Sequence, residues 1–443
     1  MTEADFFSPI SDLNARLKKR EFTAVELVRD FGERLEKLGP RYNALALPLT
    51  EVALKRAKAV DDELKRERYR GPLQGIPYGA KDLLSLAGHP TTWGAKPYAA
   101  QVIDETATVL QKLDKTGSIL IGKLAMVELA GGPSYGTAGA SLFGPGLNPW
   151  DRTRWSGGSS SGSGSAVAAG LVSFALGSET NGSILTPSAF CGVTGLRPTY
   201  GLVSRHCAMA CAWTMDKIGP MCHSAEDCGL VLQGIADNFY YTPQYSRKLS
   251  DLKVAFVDFE GVDPAFTAAT QVIRDTGVQI AQAAVPAFPY GALVSTIVGS
   301  EVSSVFESFI TSGQVDHLAD AQQIAELKAG LKIPAKDYLK AMRIRSLVKQ
   351  KFRELFEDID VIIAPSRNGV APKLSDIHGA PASALIPAGN LAGLPALSIP
   401  CGFIDSLPIG LQLVGPALAE NTLLALGREF QNRTDWHKHR PPV

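Results

Sequence analysis

Apolar residues recur at helical spacing from near the start of the chain. In SDLNARLKKREFTAVELVRDFGERLEKL (11–38), Leu13 and Leu17 fall on one face of a first short helix, and Leu27, Phe31 and Leu35 on one face of a second. Thr23, with Glu26 three residues later, has the form of a capping box, so the second helix should begin there. LTEVALKRAKAVDDELKR (49–66) is a further amphipathic segment with its charges on the solvated face. The pattern then changes. GPLQGIPYGAKDLLSLAG (71–88) reads as a short strand punctuated by Pro and Gly, and TATVLQKLDKTGSILIGKLAMVEL (106–129) as a helix, a turn at Thr116-Gly117 and a strand over 118–121. An apolar helix around 228–235, a strand over 252–258, helices over 263–276 and most of 301–355, and a buried strand VIIAP (361–365) follow. SALIPAGNLAGLPALSIPCGF (383–403) and GLQLVGP (410–416) read as core strands between Pro/Gly turns. Helix and strand signals alternate throughout, which predicts an α/β fold around one large sheet.

The 443 residues are 45% hydrophobic and 20% charged, ordinary for a globular chain with a sizeable core. No linker-like break divides them, so a single domain over 1–443 is expected: an N-terminal helical clamp (1–70), a catalytic core (71–235), a helical, variable substrate-side region (236–382) and C-terminal core strands with a helix (383–443). Lys plus Arg equals Asp plus Glu, leaving no global field to attract nucleic acid or an anionic membrane. The early acids and the lack of an apolar stretch argue against a secretory leader, and no apolar run reaches the roughly 18 residues of a membrane span. A cytoplasmic enzyme, monomeric or homodimeric, acting on a small molecule is the expectation. Cys191, Cys207, Cys211, Cys222, Cys228 and Cys401 are too few for a disulfide scaffold. His206 and His223 sit beside two of them, but no paired CxxC is present, so buried thiols rather than a metal site are expected.

Chemistry concentrates in WSGGSSSGSGSAVAAGLVSFALGSETNGSILTPSAFCGVTGLRPTYG (155–201). A Ser/Gly run usually marks a linker, yet this one leads straight into apolar core and then a second Gly/Ser turn. Such an order suits a buried site whose backbone bends sharply twice. GSSSG (158–162) fits a nucleophile elbow centred on Ser160, which would need an acid and a histidine; His378 with Asp376 is a candidate pair. GSILIGK (117–123) approximates a phosphate loop, but its apolar interior and the following Leu124 argue against it. Lys81 lies in an apolar strand end, either paired with Asp82 or kept neutral by burial. A neutral lysine activates a serine without histidine, and Ser159 and Ser183 supply hydroxyls in the two turns.

GGSSSGSGSAVAAG and GSETNGSILTPSAFCGVTGLRPTYGLVS resemble the signature stretch of the amidase signature family. YGAKDLL is similar to that family's lysine motif, and NLAGLPALSIPCGF with PIGLQLVGP to its C-terminal core. The resemblance covers essentially the whole chain. It implies a single domain with a large mixed central sheet flanked by helices on both faces, and a Ser–cis-Ser–Lys triad: Ser183 as nucleophile, Ser159 as the cis serine, Lys81 as base. The N–H groups of Thr180, Asn181, Gly182 and Ser183 would form the oxyanion hole, and Ser160 would support substrate binding. AMVELAGGPSYG (125–136) is similar to the family's pocket segment, where small Ala130, Gly131 and Gly132 imply a roomy substrate site. No cofactor and no metal are implied. Three positions depart from the pattern: Ser161 and Asn181 stand where the family commonly has Gly, and Leu185 where Arg is frequent. Asn tolerates left-handed backbone, and Leu185 is compatible with an uncharged substrate. The implied activity is hydrolysis of an amide C–N bond, linear or aryl, with carbamate or ester hydrolysis as one alternative. A glutaminase-type subunit of a tRNA-dependent amidotransferase is another, although its arginine-bearing helical motif is not clearly reproduced in LKAGLKIPAKDYLKAMRIRSL.

Overall fold

Thr23 caps the helix Ala24–Leu38 as its sequence anticipates. Its hydroxyl accepts from the Glu26 amide at 3.1 Å, and the Glu26 carboxylate accepts from the Thr23 amide at 2.8 Å. Leu27, Phe31 and Leu35 are buried on one face of this helix, and Leu13 and Leu17 on the helix Ile10–Lys18 before it. The computed structural model describes residues 1–237 and 242–442.

Eleven strands form one mixed sheet. Its order is Leu45–Pro48, Ile119–Leu124, Pro77–Lys81, Phe174–Glu179, Lys217–Cys222, Thr194–Arg197, Ala396–Ile404, Leu407–Val414, Val361–Pro365, Lys253–Phe256 and Gln279–Ala281. Pro77–Lys81 pairs parallel with both Ile119–Leu124 and Phe174–Glu179; the pairs around Lys217–Cys222 and the C-terminal hairpin are antiparallel. Every residue of Pro77–Lys81, Phe174–Glu179, Lys217–Cys222 and Val361–Pro365 is buried, so alternate side chains meet packed helices on both sides of the sheet. The register Ala80↔Leu176 brings the carboxyl ends of two parallel strands, with Lys81 and Glu179, to one edge. Ligands collect at such edges in open α/β sheets.

Several elements differ from the sequence pattern. The strand expected over 118–121 runs Ile119–Leu124, and the helical stretch divides into Tyr290–Val305, Glu307–Thr311, Ala321–Gly330 and Ala335–Leu355. Within 383–403, expected to be all strand and turn, Leu385–Ala392 is a helix. Pro387 sits in its first turn, where a missing N–H is tolerated, and Gly393 ends it at φ +76°. Burial all round the helix erases the periodicity that would have disclosed it. Among the described residues, no helix is long and apolar enough to cross a membrane. Thr23→Ala is expected to lower stability by about 1 kcal/mol, read from urea or thermal unfolding.

Candidate active site

The helix Ser161–Ala168 can seat closely only because residue 162 is glycine. A Cβ there would stand 2.5 Å from Ala44 O and 2.6 Å from Ala125 O, and the Gly162 amide instead donates to Ala125 O at 2.9 Å. The turn before it carries a cis Gly158–Ser159 peptide bond, and the Ser159 carbonyl accepts from Val127 N–H at 3.1 Å. Ser160 ties this turn to the second one. Its amide donates to Ser183 O at 3.3 Å, and its fully buried hydroxyl donates to Ser178 O and accepts from Ser178 N–H, both at 3.2 Å. Ser160, expected at the substrate, therefore clamps two backbones and does not border the cavity described below. Its committed hydroxyl also removes the elbow arrangement: His378 borders the cavity, and among the described residues the Asp376 carboxylate accepts only from the His378 backbone.

Lys81 is fully buried, with Nζ 2.7 Å from Ser159 Oγ and 2.9 Å from Ser178 Oγ. Burial pushes its pKa down to about 7, against the opposing pull of the Cys211 sulfur and the Asp216 and Glu179 carboxylates. Those carboxylates, like the adjacent Asp82, are committed elsewhere. Asp82 pairs with buried Lys123 at 2.7 Å rather than with Lys81, and Asp216 accepts from the Cys211 and Ala212 amides. Lys123, the lysine of GSILIGK, thus spends its charge on Asp82 from within a strand.

The second turn is fixed by Glu179. One carboxylate oxygen accepts from the Ile184 and Leu185 amides at 2.8 and 2.9 Å; the other accepts from Arg197 and from Asn390 Nδ2, both at 2.8 Å. Burial raises the Glu179 pKa, but Arg197 and Lys217 more than offset it, and the net shift is downward. The expected left-handed tolerance at Asn181 is not used: Gly182 takes the positive φ, +93°. Among the described residues, the amides of Asn181, Gly182 and Ser183 and the Ser183 hydroxyl make no hydrogen bond. Thr180 Oγ1 donates to Asp216 at 2.6 Å.

Ser183, Thr180 and Asn181 border a cavity of about 250 Å³. Ala130, Gly131 and Gly132 line it, and Tyr135 packs against Gly131, where a Cβ would lie 2.5 Å from its ring. Leu129, Ala130, Gly131 and Gly132 all have positive φ (47°, 56°, 91° and 51°). The preceding Glu128 carboxylate accepts from Ala319 and Asp320 amides, and Gln323 donates to Glu128 O. An adjoining cavity of about 350 Å³ shares Ala130, Thr180 and Cys211 and is bordered by Ser178 and by apolar Leu83, Met209, Trp213 and Ile218. Sequence reasoning missed Ser178, Tyr135, Trp155 and Arg367 as cavity residues. Trp155 and Ser178 stood within the signature stretch, but nothing in the pattern gave their direction. Five cysteines are buried and Cys207 is half-buried; all are free. Glu105, His206 and Cys207 cluster at the surface, and His223 instead packs against Phe7.

Comparison with known proteins gives the family and supports the fold. The family model described as Amidase matches residues 26–424. The chain belongs to the amidase family. The A subunit of glutamyl-tRNA(Gln) amidotransferase from Synechococcus sp. (strain JA-2-3B'a(2-13)) is 36% identical over 496 residues, covering 98% of this chain and 94% of that relative. Its counterpart from Geobacillus stearothermophilus is 36% identical, covering 98% and 99%. Among solved structures, native peptide amidase from Stenotrophomonas maltophilia is 28% identical with a TM-score of 0.85, covering 98% of each chain. A bacterial aryl acylamidase shares the fold at TM-score 0.85 and 20% identity, covering 98% and 97%. The amidase-family sheet and both Ser/Gly turns thus lie inside the matched region. Glu179→Gln is expected to destabilise this amidase-family chain by about 3–5 kcal/mol, measured by urea unfolding, because it strands the buried Arg197 charge.

Proposed function

We propose that this chain hydrolyses the C–N bond of an amide through an acyl-enzyme on Ser183. The observation that carries this reading is the buried Lys81–Ser159 contact of 2.7 Å beside a cavity bordered by Ser183. Lys81, neutral above its lowered pKa, accepts a proton from Ser159, which accepts one from Ser183 as its Oγ attacks the carbonyl carbon. The N–H groups of Thr180, Asn181, Gly182 and Ser183 receive the developing oxyanion; losing one such donor costs about 3 kcal/mol of barrier. When the C–N bond breaks, the relay returns the proton to the leaving nitrogen. Water then enters by the same route and frees the acid.

The apolar wall of the adjoining cavity, Leu83, Met209, Trp213 and Ile218, favours an aryl or other hydrophobic amine as leaving group. Carbamates and esters are open to the same chemistry, since the triad meets only a carbonyl and a leaving group. A second reading, the glutaminase component of a tRNA-dependent amidotransferase, is favoured by the amidotransferase relatives, which align over almost their whole length. Against it, Arg345 in the helix Ala335–Leu355 is buried, its nitrogens donating to Leu391 O and to Thr214, while Arg343 is exposed and neither borders the Ser183 cavity. Neither is therefore placed to meet glutamine's carboxylate, whereas Arg367, outside that helix, does border the Ser183 cavity.

An acyl-fluorophosphonate probe should label the protein at Ser183. Labelling should vanish in Ser183→Ala and fall at least about a thousandfold in rate in Lys81→Ala. Labelling that persists in Ser183→Ala but disappears in Ser160→Ala would overturn the assignment. Glutamine turnover that requires added partner subunits, with no turnover of anilides, selects the amidotransferase reading. Because Lys81 must be unprotonated to act, log kcat/KM should climb with pH, level off above about 7, and fall tenfold per unit below.

A further inference from the structure

Arg367 follows the strand Val361–Pro365 and borders the same cavity as Ser183. Other inward-facing arginines have their charge or donors committed: Arg197 to Glu179, Arg345 to Thr214 and Leu391. Arg367 differs. Among the described residues its side chain forms no hydrogen bond or ion pair, and its buried Nε has no partner; its guanidinium rests 5.6 Å above the Phe190 ring. Trp155, 3% exposed, borders this cavity too, packs on the same Phe190 ring, and has a buried indole N–H with no acceptor. No Asp or Glu lines the cavity among the described residues. Two unmet donors, one of them cationic, thus frame a space with no anion of its own, and such groups are satisfied by a ligand acceptor.

Ser178 Oγ is hydrogen-bonded to Lys81 and borders the adjoining apolar cavity. The proposed function places a hydrophobic leaving amine in that adjoining cavity, which leaves the acyl group the side of Arg367.

Resting on the Ser183 acyl-enzyme reading, we propose that Arg367, with the Trp155 indole N–H, binds an oxygen acceptor at the distal end of the substrate's acyl chain. The acceptor is a carboxylate or a second carbonyl, and Arg367 is the residue that sets acyl specificity. A carboxylate matches the guanidinium fork in both charge and geometry.

The test uses three 4-nitroanilides with acyl chains of equal length, ending in a carboxylate, its methyl ester, or a methyl group. The full-length protein should turn over the acceptor-bearing anilides at least about tenfold more efficiently than the alkyl one. Arg367→Gln should erase that preference, mainly through KM, with a smaller loss for the alkyl substrate than for the acceptor-bearing ones. Arg367→Lys should restore part of it for the carboxylate. Dependence on Arg367 for the carboxylate identifies an anion as the ligand; dependence for the ester alone identifies a neutral carbonyl. Indifference of the wild type to the acyl terminus, or an equal loss for all three anilides in both variants, overturns the proposal. If Ser183→Ala still cleaves these anilides, the acyl-enzyme reading falls; if only the Arg367 effect is missing, that reading stands and this assignment alone is lost.

Discussion

A carboxylate with no exposure to water holds the turn that carries Ser183. Glu179 ends its strand, accepts from two amides beyond the turn, and so closes the chain on itself around residues 180–183. An anion so deeply placed is tolerated only with a matched cation, and Arg197 supplies it from a separate strand of the same sheet. Arg197 is itself oriented by Leu394 O, and Asn390 completes the set of donors while accepting from Lys217. The geometry of the nucleophile turn therefore depends on residues some two hundred positions later in the chain, and the C-terminal region is part of the site although it contributes no hydroxyl to it.

The lysine is governed by the opposite balance. Glu179 is kept charged by its partners, whereas Lys81 is surrounded by hydroxyls while its neighbouring carboxylates are occupied by other donors. The parallel pairing of two strands delivers both groups to one edge, so one fold element creates a fixed anion and a proton-accepting amine within a short distance of each other.

Much of this was legible in the order of residues. The capping box at Thr23, the buried strand over 361–365 and the passage of the Ser/Gly run into apolar core and a second Gly/Ser turn all follow from local patterns. Local patterns do not report partners. The choice of Lys123 rather than Lys81 for Asp82, and the seating of Ser160 between two backbones, are long-range outcomes of sheet order. The helix Leu385–Ala392 was hidden because a helix buried on every side has no polar stripe, and Pro387 looked like punctuation when it only occupies a first turn. The unoccupied donors of Arg367 and Trp155 had no signature at all, since an unmet hydrogen bond is a property of the surroundings. The neighbour of Gly131 was equally invisible: the Tyr135 ring lies where a side chain at that position would stand.

The wall formed by Leu129 to Gly132 takes up a backbone conformation that non-glycine residues rarely choose, and its hold comes from the amides of Ala319 and Asp320 and from Gln323. Those anchors lie at the start of the helix Ala321–Gly330, remote in sequence from every hydroxyl and amine of the site. Substitutions in that helix can reshape the substrate wall while leaving the reactive groups untouched. The fold in this way separates what is inherited as chemistry from what is free to diverge as preference, and a lineage can explore new substrates through an element that takes no part in the reaction.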